Sequence, residues 1–279
     1  MFIQTLLLQW LDRSLPFRFL VALAVGFLAL FVVQEIEAIH HGAACWGTEP
    51  FSACVLDEAV DLVAVENVEG FSILVVAITY LIESRDRRKQ KHYEAWQVID
   101  NAAAAKVPTS NARIKALEDL NEDRVSLQAI DMPGADLRQI QLAGADLRET
   151  TLSDTDLRNA NLKGANLAAA NLEGAKLRGA DLSHANLAKA HLKGADLTGA
   201  NLYGANLACA DLSKAILETS DLQKATLIGA NLAAANLRAA NLQQANLTDA
   251  KLKESDFRTA DLKDAKLTGA IMPSGSIHE

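Results

Sequence analysis

"GANLAAANLEGAKLRGADL", Gly164 to Leu182, carries leucine at every fifth position: Leu167, Leu172, Leu177 and Leu182. On an α-helix five residues advance about 500°, about 140° past a full turn, so these leucines would scatter around every side and bury no stripe. On a flat strand side chains alternate between faces, so an odd period sends successive leucines to opposite sides. A chain that turns a corner every five residues satisfies the spacing. If each unit is one side of a square coil, every leucine points at the axis and four units complete a circuit.

The pattern runs outward from this stretch without a slip. From Leu127 the fifth position is leucine through thirty successive units, broken only by Met132, Phe257 and Met272. Two residues earlier stands a residue that also points inward and is nearly always small, as at Ala165, Ala170, Ala175 and Ala180, with Ser220 and Ser255 as late exceptions. A shaft filled by one leucine and one alanine per side accounts for a chain that is 50 % hydrophobic yet only 5 % aromatic. The residue before the leucine is Asn or Asp in 20 of the 30 units, and the second after it is often glycine, as at Gly164, Gly174, Gly179 and Gly194. These residues suit turns, through local side-chain hydrogen bonds and positive φ.

This tandem A(D/N)LxG-like pattern, over roughly residues 125–274, resembles the pentapeptide-repeat family. The resemblance implies a right-handed quadrilateral β-helix, here 125–275, of about 7.5 coils and about 36 Å at the usual strand spacing. The segment before it, "KHYEAWQVI…RIKALEDLNED", also resembles membrane-tethered pentapeptide proteins of cyanobacteria.

The N-terminal part reads as membrane-associated, making the whole an α+β chain. "FRFLVALAVGFLALFVV", Phe17 to Val33, has one charge, Arg18, near its start, and at about 1.5 Å per residue spans about 25 Å, enough for a transmembrane helix over 17–34. A secretory signal is the rival reading; the length of the run and the lack of a small-x-small cleavage site in "QEIEAIHHG" favour an anchor. A second span is expected over 63–82, with Glu66 and Glu69 near its outer end. Arg85, Arg87, Arg88, Lys89 and Lys91 follow it, which places everything after Ile82 on the cytoplasmic side of a bacterial inner or thylakoid membrane. Residues 1–16, with Phe2, Ile3, Leu6, Leu7, Trp10 and Leu11, then read as an interfacial amphipathic helix.

The loop 35–62 falls outside. It holds Cys45 and Cys54, which either form a disulfide or stay as two thiols near the membrane. Glu35, Glu37, His40, His41, Glu66 and Glu69 gather on that side, but adjacent loop histidines are more often solvated than ligating. Residues 83–109 read as a juxtamembrane helix and linker, with Tyr93, Trp96, Ile99 and Ala103 along one side, broken at "VPTS". Ser110 is a plausible N-cap for a capping helix over 110–124, whose Ile114, Leu117 and Leu120 form one apolar face to cover the first edge of the solenoid.

Stepping four units at a time lays out the outer faces. One carries Arg138, Arg158, Arg178, Arg238 and Arg258 in a column, with Asp136, Asp156, Asp196 and Asp256 two residues before column positions, so a solvated ion-pair ladder is favoured over an anion stripe. Another presents Asn166, Ala168, Ala169, Asn186, Ala188, Asn206, Ala208, Cys209, Thr226, Ile228 and Gly229, with Lys189 the only charge. A flat, uncharged, small-residue surface suits close docking to a protein partner or to another copy.

Chemistry is not legible. There is no His–carboxylate–nucleophile set, no phosphate-cradling loop and no paired-cysteine metal motif, and His184 and His191 are isolated outward positions. No cofactor or metal is expected, and the chain reads as non-catalytic. Net charge is −8, but after Arg124 there are 16 Lys and Arg against 18 Asp and Glu, so the repeats are neither basic enough for nucleic acid nor acidic enough to mimic it. The reading is a membrane-tethered scaffold whose rod binds another protein. A two-span sensor or channel accessory with the rod as output is the alternative, and a DNA-mimicking topoisomerase regulator, as among quinolone-resistance relatives, is disfavoured by charge.

Overall fold

The computed structural model describes residues 24–26, 65–105 and 109–279. The chain divides into two compact units, Met1–Lys91 and His92–Glu279.

In the first unit residues 24–26 are helical, and helix α1, Val65–Ala104, begins. The expected interfacial helix 1–16, the loop with Cys45 and Cys54, and the rest of the first span lie outside the described residues. The second expected span, 63–82, falls partly within the described residues. Its described part is helical, but among the described residues no helix is long and apolar enough to cross a membrane. Helix α1 runs unbroken for 40 residues, with Glu66 and Glu69 at one end and the Arg85–Lys91 charges in its middle. Span and juxtamembrane helix are thus one element. Within it the Arg87 guanidinium lies 5.3 Å over the ring of exposed Tyr80.

From His92 on, α1 belongs to the second unit and helps cover the first coil. Ala95 and Ile99 are buried there, with Trp96 and Val98 packed beside them, while Tyr93 faces solvent and takes a 3.0 Å hydrogen bond from Gln97 Nε2. Tyr93 and Ala103 therefore lie off the buried stripe that the sequence suggested. Helix α2, Asn111–Glu122, starts at Ser110, whose Oγ accepts from the Arg113 N–H at 3.1 Å. It ends in a Schellman-type turn: Val125 N–H donates to Leu120 O and Arg124 N–H to Asn121 O, with Arg124 at φ 56 in the position glycine usually takes. Leu117 and Leu120 are fully buried in one cluster with Leu127 and the coil interior. His92 Nε2 and Asp123 Oδ2, 2.8 Å apart, join α1 to the turn after α2.

The coils keep a register of four units, each bridging residue pairing with its counterpart one full circuit on. On one side Leu167 N–H donates to Asn186 O at 2.7 Å, Asn186 N–H to Ala165 O at 2.9 Å and Ala169 N–H to Ala188 O at 2.9 Å. The corner is closed by Ala170 N–H to Leu167 O at 3.1 Å, a four-residue turn whose third residue has positive φ. Parallel bridges link Asn166, Asn186, Asn206, Thr226 and Asn246 in sequence, and each of the other three sides repeats the scheme. Among the described residues no run is long enough to count as a strand, because two of every five residues are spent on the turn and one residue per side bridges. The linker adds a rung of its own, Thr109 pairing with Asp136.

Inside, Leu157 to Leu252 and the alanines between them are at most 2 % exposed, and each leucine so buried contributes about 2 kcal/mol. Where the small inner position is hydroxylated, the hydroxyl is satisfied locally. Thr150, Thr155, Ser220 and Ser255 each donate to the leucine carbonyl three residues back, at 2.6–2.8 Å.

Candidate docking face

The face carrying Asn166, Ala168, Asn186, Ala188, Asn206, Ala208, Cys209 and Ile228 is built by the hydrogen bonds of its asparagines. Asn186 Nδ2 donates to Asn166 Oδ1 and Asn206 Nδ2 to Asn186 Oδ1, both at 3.0 Å. The same oxygens accept from the backbone N–H two residues on: Ala168 to Asn166 and Ala188 to Asn186 at 3.3 Å, and Ala208 to Asn206 at 3.1 Å. The amides thereby lie along the coil, and their polar atoms are largely used up. What projects beyond them is a column of methyl groups, then Ile228 at 39 % exposure, with the exposed Cys209 at the next corner. Such a surface loses little hydration on contact. All eight predicted residues sit together on this side.

The arginine column is a ladder of ion pairs. Asp136 with Arg138, Asp156 with Arg158 and Asp256 with Arg258 are each bidentate, Nε to Oδ1 at 2.8–2.9 Å and a terminal nitrogen to Oδ2 at 2.6–2.7 Å. The hydrogen bonds from these arginines hold the aspartates below the ordinary carboxylate value, Asp256 down to about 2. Asp196 instead takes the Thr198 hydroxyl at 2.6 Å and lies 3.9 Å from Arg178 of the preceding coil. A fourth bidentate pair, Asp146 with Arg148, stands at the first coil of the docking face, one circuit before Asn166 and Ala168, and Ser126 Oγ donates to the same carboxylate at 2.6 Å. Column-stepping missed it, although the Asp-Leu-Arg tripeptide shared by Asp136, Asp146 and Asp156 carries the signal.

One cleft of about 520 Å³ opens where the start of α2 meets the first coils, lined in part by Asn111, Arg138 and Arg158. Both arginines are already neutralised by their aspartates, so the cleft offers an anion little unspent charge. Among the described residues no group of three or more His, Cys, Asp or Glu is placed to hold a metal ion. His184 does not stand alone: its ring meets Tyr203 edge-on at 5.4 Å, and Tyr203 Oη is 2.9 Å from Lys224 Nζ.

The family model for pentapeptide repeats matches in eight copies, over residues 123–159, 140–179, 165–204, 180–218, 220–253 and 240–272, more than half of the chain. The chain belongs to the pentapeptide-repeat family. Its square coil is therefore the family's right-handed β-helix. No curated protein matches it. Among solved structures, this pentapeptide repeat protein is similar to HetL, involved in heterocyst differentiation regulation in the cyanobacterium Nostoc sp. strain PCC 7120, at 33 % identity over 56 % of this chain and 92 % of that one, TM-score 0.20. A pentapeptide repeat protein of the Arabidopsis thaliana thylakoid lumen shares 30 % identity over 39 % of this chain and 68 % of that one, TM-score 0.29. QnrB1, a plasmid-mediated fluoroquinolone resistance protein, shares 19 % over 50 % and 82 %, TM-score 0.26. With scores this low, membership rests on the repeat match rather than on these superpositions.

Proposed function

We infer that this pentapeptide-repeat protein is a non-catalytic interaction rod that binds another protein through the Asn–Ala–Ile face. The observation that carries the reading is the asparagine ladder, which spends its amides along the coil and leaves methyl groups and Ile228 as a flat surface. The opposite side shows a column of solvated ion pairs, which resist desolvation and make poor interface cores, whereas on this face one such pair, Asp146 with Arg148, bounds the patch at its first coil. The near balance of charge in the repeats speaks against mimicry of DNA.

The rod is held at a membrane by the apolar run Phe17 to Val33, on the cytoplasmic side of a bacterial inner or thylakoid membrane. The support for this is the length of the run and the basic residues from Arg85 to Lys91. The deciding test of the face is a crosslinking pull-down from membranes, comparing the native chain with Ala188→Lys plus Ala208→Lys. Loss of the captured partner is expected; identical capture refutes the face. For the tether, alkaline carbonate should leave the chain in the membrane pellet, and release into the supernatant refutes it.

A further inference from the structure

The edge of the docking face, one corner residue per coil, reads Ala129, Glu149, Ala169, Lys189, Cys209, Gly229, Asp249 and Gly269. Lys189 and Asp249 are exposed and opposite in charge, and they stand three coils apart. Among the described residues neither enters an ion pair or a side-chain hydrogen bond, whereas Arg138, Arg148, Arg158 and Arg258 are all paired. Beside this edge the outward column reads Gln128, Arg148, Ala168, Ala188, Ala208, Ile228, Thr248 and Thr268, with Ile228 its one large apolar side chain.

We propose that the protein docked on this face is a second copy of the chain, lying antiparallel, with the two-fold axis crossing the rod midway between the Cys209 and Gly229 coils. The inference rests on the docking reading above and names its partner. A two-fold in that direction reverses the order of coils while keeping the same edges together. Lys189 of one copy then faces Asp249 of the other, Ile228 faces Ala208, and Asn186 faces Asn246, each contact made twice, as an isologous interface requires. The charges and Ile228 together fix the register: a setting centred on Ala169 pairs Lys189 with the exposed Glu149, but it overlaps fewer coils and leaves Ile228 uncovered. A shift by one coil in one direction sets Lys189 against Gly229, and in the other sets it against Gly269 with the two Ile228 side chains abutting. In either case both ion pairs are lost. One side of a square coil is narrower than the roughly 800 Å² per partner of a standard interface, so the dimer dissociates in the micromolar range.

The test is sedimentation of the full chain in density-matched detergent, with Lys189→Asp, Asp249→Lys and the double variant. All changed positions are exposed, and circular dichroism confirms that each variant folds. Each single reversal is expected to weaken the dimer about tenfold or more, and the double variant to recover to within about threefold of the native chain. The decisive arm mixes the two single variants. In the heterodimer both sites regain opposite charges, so the mixture should associate more tightly than either variant alone. Native chain that stays monomeric at about 0.5 mM, single reversals without effect, or a mixture no tighter than its parts each overturn the proposal. If the native chain is monomeric but Ala188→Lys plus Ala208→Lys still abolishes capture in the pull-down, the second copy falls and the docking face stands. If capture also persists, both fall.

Discussion

Gly164 and Gly204 occupy the same kind of corner, at φ +65 and +64, but differ in what lies over them. A Cβ built on Gly164 meets nothing within 4 Å; on Gly204 it meets His184 Nδ1 at 2.9 Å and Cε1 at 3.1 Å, a ring leaning across from the preceding coil. Gly164→Ala therefore carries only the cost of a side chain in the left-handed region, about 1–2 kcal/mol, less about 0.4–1 kcal/mol recovered from the unfolded chain, a net loss of about 0.5–1 kcal/mol. Gly204→Ala must in addition displace the imidazole. Forcing it off its rotamer costs about 0.5–1.5 kcal/mol and weakening its edge contact with Tyr203 a similar amount, so the extra loss is about 1–2 kcal/mol. The assay is urea denaturation followed by far-UV circular dichroism, closed as a double-mutant cycle with His184→Ala. The coupling between His184→Ala and Gly204→Ala should equal that extra loss. Equal costs for the two glycine variants, or a coupling of zero, would refute the view that corner side chains rest on the glycines of the next coil.

Leu187→Ala should cost about 3–5 kcal/mol, because the coils above and below are pinned and the hole cannot close, whereas Leu262→Ala, partly exposed in the last coil, should cost about 1 kcal/mol; the same denaturation assay separates them. Ser110→Ala removes the N-cap of α2 and should lower stability by about 1 kcal/mol, with amide exchange quickening first in the opening turn of that helix. Asp136, Asp146, Asp156 and Asp256 all titrate below the ordinary value because their arginines hydrogen-bond the charged form. A depressed folded value means their stabilisation is complete above the unfolded value and lost as pH falls through the folded one. Thermal midpoints should thus be insensitive to these groups above about pH 5 and decline from about pH 4 toward pH 2. Arg158→Gln should lessen that decline, and a midpoint unchanged down to pH 2 in the native chain contradicts the pairing.

The square coil was legible because its cause is local and repeated. Leucine at the fifth position and alanine two before it leave one geometry that buries both, and Ser110 with Leu117 and Leu120 announces the cap. Less legible was the backbone at the corners. The second residue after each inner leucine or its substitute, from Ala129 to Gly269, has positive φ, yet only ten of these are glycine. His184, Thr219 and Ala239 sit there against their own preference because hydrogen bonds to the coils on either side fix the corner regardless of side chain. The docking residues could be brought together by counting, but the spending of the asparagine amides could not, since it depends on stacking across coils. The division of the N-terminal helix was also not legible. Hydropathy marks an apolar run over 63–82 and a polar one after it, but not that a single helix carries both through to Ala104.

Four equal units to the circuit make the rod an indexing device. Excising one unit shortens it by a quarter of a circuit and swings everything beyond the cut through a right angle, so Ile228 would leave its column and point elsewhere. Excising four units in a row removes a whole storey and leaves every azimuth as it was. Length and aim can therefore be altered separately: variants that differ by whole circuits would keep one continuous contact surface, and those that differ by fractions would present it in two directions.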